Sequence, residues 1–188
     1  HAEQMRIWLN YELRRNPLDV KKLMMLARLY RNTAVFDQAR LQLAISITEI
    51  AARLSPRDPQ TYEVQGLIYA DAAQLATSPE ERMRLLLRSR DAFAQMQGLA
   101  PDIPESRLLY LAADGILKGS FSDLNQFLDE RYRDLTREEW YLVTDLLLDQ
   151  EDRAVVDGIV LRLRTLNAEE YPFAQDFIEV IEERLQAL

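Results

Sequence analysis

A punctuated helical phrase recurs along this chain and limits the folds open to it. It consists of proline, a helix with a small residue on its inner side, an aromatic residue at the turn, a second helix, and proline again. The first copy runs from Asn16-Pro17 through Leu23, Leu26, Ala27 and Tyr30 to Phe36, Ala39 and Leu43, and closes at Ser55-Pro56. The second opens at Asp58-Pro59, carries Tyr62, Gly66 and Tyr69, and passes Ser89 and Phe93 to reach Ala100-Pro101. A two-helix unit of this length cannot bury its own apolar side, so successive units must stack to make a core.

The rest of the chain reads the same way. Five glycines, no alternating apolar runs and a hydrophobic content of 48% predict an all-α protein with ample core material. About ten helices are expected. The first covers 2–15, with Met5, Trp8, Leu9 and Leu13 at helical spacing; the next pair covers 18–32 and 35–54. Asp58-Pro59 and Ser78-Pro79-Glu80-Glu81 are N-terminal caps for helices to about 75 and about Gln97, with Gly98 ending the second. Pro104 opens another helix, and Lys118-Gly119-Ser120-Phe121 is a turn. Thr136-Arg137-Glu138-Glu139 is a capping box ahead of Trp140, Val143, Leu147 and Leu148. Asp152 begins the next helix, and the last, about 171–187, aligns Phe173, Phe177, Ile181 and Leu185.

Proline, Ala27, Tyr30, Phe36 and Ala39 in this order, then Tyr62, Gly66, Tyr69 and Phe93, resemble the tetratricopeptide repeat. The resemblance implies a right-handed α-solenoid of about four hairpins. Its repeats fall at 17–55, 56–100, 101–135 and 136–167, between a leading helix at 2–15 and a capping helix at 168–188, in one domain over 1–188. The repeats are long. Pro17 to Pro56 is 39 residues and Pro56 to Pro101 is 45, against a family period of about 34. Copies three (Leu108, Leu111, Ala112, Phe121, Leu128) and four (Trp140, Val143, Thr144, Leu147) are degenerate.

Little in the chain suggests chemistry. His1 is the lone histidine and there are no cysteines, so imidazole bases, His triads, thiolate metal sites and disulfides are not expected. The segment Gly115-Ile116-Leu117-Lys118-Gly119-Ser120 lacks phosphate-loop spacing and reads as a helix-ending turn. The paired acids Glu80-Glu81 and Glu138-Glu139 suit the positive ends of helix dipoles. No catalytic residue, metal site or cofactor is expected, and the chain is read as a non-enzyme.

The resemblance instead implies a protein-binding scaffold or adaptor. In such arrays the first helix of each hairpin lines a concave groove that takes a peptide or a partner's helix. The corresponding positions here are Lys21, Met24, Arg28, Arg31 and Asn32, then Gln60, Glu63, Leu67, Ala70 and Asp71, and later Glu138, Tyr141, Asp145, Leu148 and Asp149. The expected contacts are Lys21, Arg28, Arg31, Asn32, Tyr141 and Asp145, the arginines gripping partner carboxylates. The clamp that related domains use for chaperone C-termini is missing, since its positions carry Met24, Arg28, Val64 and Ser106. The alternative expectation is an assembly or homo-oligomerisation module of a bacterial envelope complex, for secretion or polysaccharide export, using exposed Trp8 and the Phe173–Leu188 face.

A net charge of −8 disfavours nucleic acid, and no apolar run is long enough to span or anchor in a bilayer. Twenty arginines against three lysines fit a GC-rich bacterial genome. His1 stands where an initiator methionine would, so the chain is read as a segment of a longer bacterial protein. That reading leaves room for a membrane anchor outside the segment, and leaves cytoplasm or periplasm open.

Overall fold

The structure, a computed structural model, describes residues 1–34, 38–148, 153–166, 169 and 171–187. Among these are ten helices: α1 (Ala2–Arg15), α2 (Val20–Thr33), α3 (Gln38–Leu54), α4 (Pro59–Gln74), α5 (Pro79–Leu99), α6 (Pro104–Lys118), α7 (Ser122–Arg131), α8 (Arg137–Leu148), α9 (Arg153–Arg164) and α10 (Ala174–Ala187). The turn residues Phe36 and Asp37, together with Asp149 and Asp152, lie outside the described residues. So do the side chains of Leu148 and Leu185.

Local chemistry sets the starts of α2, α4, α5 and α8. Asp19 accepts from the Lys22 amide at 3.1 Å, Asp58 from the Gln60 amide at 3.1 Å, and Ser78 Oγ from the Glu81 amide at 3.1 Å. At α8 the capping box closes in both directions. Thr136 Oγ1 accepts from the Glu139 amide at 3.3 Å, and the buried Glu139 carboxylate accepts from the Thr136 amide at 2.6 Å. Thr136→Ala should therefore lower stability by about 1 kcal/mol. Urea unfolding at neutral pH measures this, and an unchanged midpoint would show the cap to be idle.

Two boundaries differ from the expectation. Helix α5 continues through Gly98 to Leu99. Gly119, with φ 63, is the positive-φ glycine of the described residues, so Gly98 does not supply the left-handed turn that ends a helix. The stop comes from Pro101, which drives Ala100 out of helical geometry to φ −137. Helix α10 starts at Ala174, leaving Phe173 in the preceding turn, where its carbonyl accepts from the Phe177 amide at 3.0 Å.

The sequence reading has one domain over 1–188; the residues cluster into two compact units, His1–Arg107 and Leu108–Leu188, divided in the first turn of α6. In the first unit neighbouring helices pack in order, α1 on α2, α2 on α3, α3 on α4 and α4 on α5, and α2 also touches α4. In the second, α8 packs on α9 and α9 on α10. Charged side chains join alternate helices. Arg88 of α5 reaches Glu49 of α3 at 3.3 Å, and Arg162 of α9 reaches Asp129 of α7 at 2.7 Å. Pairing with the next helix and bridging to the one after is the contact pattern of stacked hairpins.

Small residues fix how closely helices approach. A Cβ on Gly66 of α4 would lie 2.5 Å from the ring of Phe93, which is fully buried on α5. Ser89 Oγ, one turn before Phe93, donates to the Gly66 carbonyl at 2.8 Å. The same device recurs in the second unit, where a Cβ on Gly115 would lie 2.5 Å from the ring of Phe121.

Helix α3 departs from the expected register. Ala39 and Leu43, expected on its inner side, are both exposed. Leu41, Ala44, Ile45, Thr48 and Ala51 are buried instead. Ala44 and Ala51, seven residues apart, admit a close neighbour in a way a leucine-lined side would not.

Candidate functional site

The α2 face carries the first group of expected contacts. At about 100° per residue, Lys21, Met25, Arg28 and Asn32 fall in one row, and all four are exposed. Met25, not Met24, belongs to this row: Met24 is buried, with Leu23, Leu26 and Ala27. On α4 the expected trough residues Leu67 and Ala70 are buried as well.

Arg28 in this row and Arg31 beside it both meet carboxylates from α4. Arg31 forks onto Asp71, Nε to Oδ2 at 2.6 Å and Nη2 to Oδ1 at 3.3 Å, with both side chains mostly covered. Such a bidentate pair fixes the lateral register of two helices. Arg28 makes a looser contact, Nη2 to Glu63 Oε1 at 3.5 Å, and keeps 49% of its side chain in solvent. Burial pushes the Glu63 carboxyl upward and outweighs the pull of Arg28 and Arg31. The first two helices of the expected groove, α2 and α4, are thus cross-linked to each other.

Tyr141 and Asp145 belong to the other unit. The Tyr141 ring packs on Phe177 of α10, centroids 4.2 Å apart, while Arg137 sits 5.4 Å from its centroid. Asp145 is partly buried and engaged within the protein. Phe177, Ile178 and Ile181 of α10 are buried, so these described parts of the terminal face expected for assembly are already covered. On α1, by contrast, Met5, Ile7, Trp8 and Tyr11 are exposed.

A polar cluster on α3, α4 and α5 escaped the sequence reading. Tyr69 donates from its hydroxyl to Glu49 Oε1 at 3.0 Å, and Arg88 donates to the same oxygen at 3.3 Å while lying 5.5 Å from the Tyr69 centroid. Burial, then the Glu49 charge, push the Tyr69 hydroxyl up to about 12. Its three members stand 20 and 39 residues apart. Only the helix register brings them together, so no local motif announces them.

The segment Gly115–Ser120 is a helix end. Gly119 turns left-handed, the Ser120 amide donates to the Gly115 carbonyl at 3.2 Å, and Lys118 pairs with buried Asp114 at 2.5 Å. Glu80 and Glu81 lie in the first turn of α5 and Glu138 and Glu139 in that of α8. Among the described residues no group of three or more His, Asp or Glu could hold a metal ion. Nor is any described helix long and apolar enough to cross a membrane.

These features define an all-α fold, with ten helices among the described residues in repeated helix-pair contact, an exposed polar row on α2 and exposed apolar side chains on α1. No family model matches the chain, and comparison with curated proteins and with solved structures returns no match.

Proposed function

We propose that the chain is a protein-interaction module, an adaptor or scaffold without catalytic chemistry, built from divergent tetratricopeptide-like hairpins. It docks a peptide or partner helix along α2. One observation carries this reading: Lys21, Met25, Arg28 and Asn32 form a single solvent-facing row, with two cations, an amide and a flexible apolar side chain at helical spacing. Methionine adapts to varied apolar partners, and arginine reads carboxylates bidentately. Arg31 holds α2 to α4 in this scheme and leaves the gripping to Arg28.

Arg28→Glu is the discriminating variant. Arg28 is half in solvent but Glu63 is mostly covered, so loss of their loose 3.5 Å contact costs about 1–3 kcal/mol, and circular dichroism checks that the fold survives. Affinity capture from the native cell with wild type and variant should show the partner reduced about tenfold or more by the variant, at unchanged helicity. Equal recovery would remove α2 from the binding surface.

The exposed α1 face favours a second reading, a structural assembly module such as part of a bacterial envelope complex. Met5, Ile7, Trp8 and Tyr11 expose 46–59% of their surface within two turns of one helix. A mass that rises with concentration in light scattering, and that Trp8→Asp returns to the monomer, would select it over the adaptor.

A further inference from the structure

Tyr62, Gln65 and Tyr69 follow one another at intervals of three and four residues, so they share one side of α4. At about 100° per residue this side is opposite to Glu63 and Asp71, which meet α2. It floors a hollow of about 460 Å³, walled by Ala92 and Ala94 of α5 and bordered beside Tyr69 by Glu49 and Arg88. Both tyrosines are held through their hydroxyls, Tyr62 donating to the Pro56 carbonyl at 3.2 Å and Tyr69 to Glu49 at 3.0 Å. They stand about 10 Å apart along the helix, the length of about three residues of extended chain.

Gln65 lies between them. It keeps only 9% of its surface in solvent, lines the hollow, and makes no hydrogen bond to another described residue. A covered amide without a partner is costly, and leucine would fill the same space without that cost. The amide offers a donor and an acceptor in one plane. The charges around it are already matched, with Arg88 on Glu49 at 3.3 Å and Arg90 on Asp91 at 2.6 Å. Both bonds to Glu49 fall on Oε1, which leaves Oε2 to accept another. The hollow therefore offers donor beside acceptor and selects no ionic ligand. A peptide backbone has that composition, with one N–H and one C=O in each residue. The small side chains of Ala92 and Ala94 let such a backbone approach the wall closely.

We infer that this hollow binds a neutral peptide segment in extended form and reads it by its backbone. The Gln65 amide pairs with one peptide group, and Glu49 Oε2 accepts from a neighbouring N–H. The rings of Tyr62 and Tyr69 border the residues held. The site lies across α4 from the α2 row and can be tested without it.

The test uses the chain as it is and a synthetic peptide of about six residues, made of threonine, serine and valine and blocked at both ends so that it carries no charge. A second peptide has the same sequence with alternate backbone nitrogens methylated, which removes donors and leaves the side chains. In heteronuclear NMR the Gln65 side-chain amide, assigned by its loss in Gln65→Leu, should shift saturably as the first peptide is added. The methylated peptide should bind at least about tenfold more weakly. Gln65→Leu should weaken the first peptide about tenfold or more, read at the backbone amides of Ala92 and Ala94, with circular dichroism unchanged. Ala94→Leu, which fills the wall, gives the same loss should Gln65→Leu not fold. Absence of a saturable shift at millimolar peptide, equal binding of the methylated peptide, or indifference to both variants would overturn the inference. So would tighter binding of adenosine or of glycine as the amino acid, since the hollow would then take a base or a zwitterion.

Discussion

Gly66→Ala lowers stability by about 1–3 kcal/mol, the cost of overpacking a filled site. The added methyl would lie 2.5 to 2.7 Å from three ring carbons of Phe93. That ring is fully buried between α4 and α5 and cannot swing into solvent, and the helices cannot part without stretching the Ser89 hydroxyl contact to the Gly66 carbonyl. The same change at Gly98, where nothing lies within 4 Å of the added carbon, should go the other way. Gly98 sits in the last turn of α5, so alanine there gains about 0.5 kcal/mol, chiefly by restricting the unfolded chain. Thermal and urea unfolding of the two variants in parallel checks the pair. Combining Gly66→Ala with Phe93→Leu should recover part of the loss, because the smaller side chain vacates the clash. Two equal and small effects would mean that α4 and α5 do not meet at Gly66.

Trp140→Ala should lose about 3–5 kcal/mol, the range for emptying the site of a large buried aromatic. Trp140 is fully buried on α8, among Val143, Leu147, Val156 and Ile159 of the second unit's core. Trp140→Phe separates packing from polarity. The indole nitrogen has no hydrogen-bond partner among the described residues, so no bond is broken by removing it. Phenylalanine keeps most of the apolar volume and should lose about half as much as alanine or less. Denaturant unfolding by far-ultraviolet circular dichroism compares the three proteins. A phenylalanine variant as weak as alanine would show that the indole nitrogen holds a bond after all.

The capped helix starts were the most legible part of the sequence, because each of these is written in a few adjacent residues. Asp58-Pro59, Ser78-Pro79 and Thr136 through Glu139 cap where expected. Helix ends were less legible. Gly98 looks like a terminator by composition, yet the proline after Ala100 decides the outcome. Gly66, Ser89 and Phe93 each stand out in the sequence as small or aromatic residues, and the three meet between α4 and α5. The rotation of α3 was not readable. A helix apolar on two sides offers two registers, and only the neighbours choose between them. For the same reason the pairs Arg28–Glu63 and Arg31–Asp71 could not be foreseen. Partners 35 and 40 residues apart meet only when the lateral alignment of α2 and α4 is known. Met25 was one residue from notice: the row was drawn through Met24, and burial moves it by one place.

The contact of Gly66 with Phe93 also shows how a helical hairpin tolerates length at its far end. The two positions are 27 residues apart, whereas Gly115 and Phe121, which meet in the same way, are six apart. Whatever is threaded between ring and glycine merely lengthens the hairpin's far end, like a clothes-peg gripped near its spring. The link at residues 75–78, between the end of α4 and the start of α5, is thus a natural place for an inserted sequence tag or reporter.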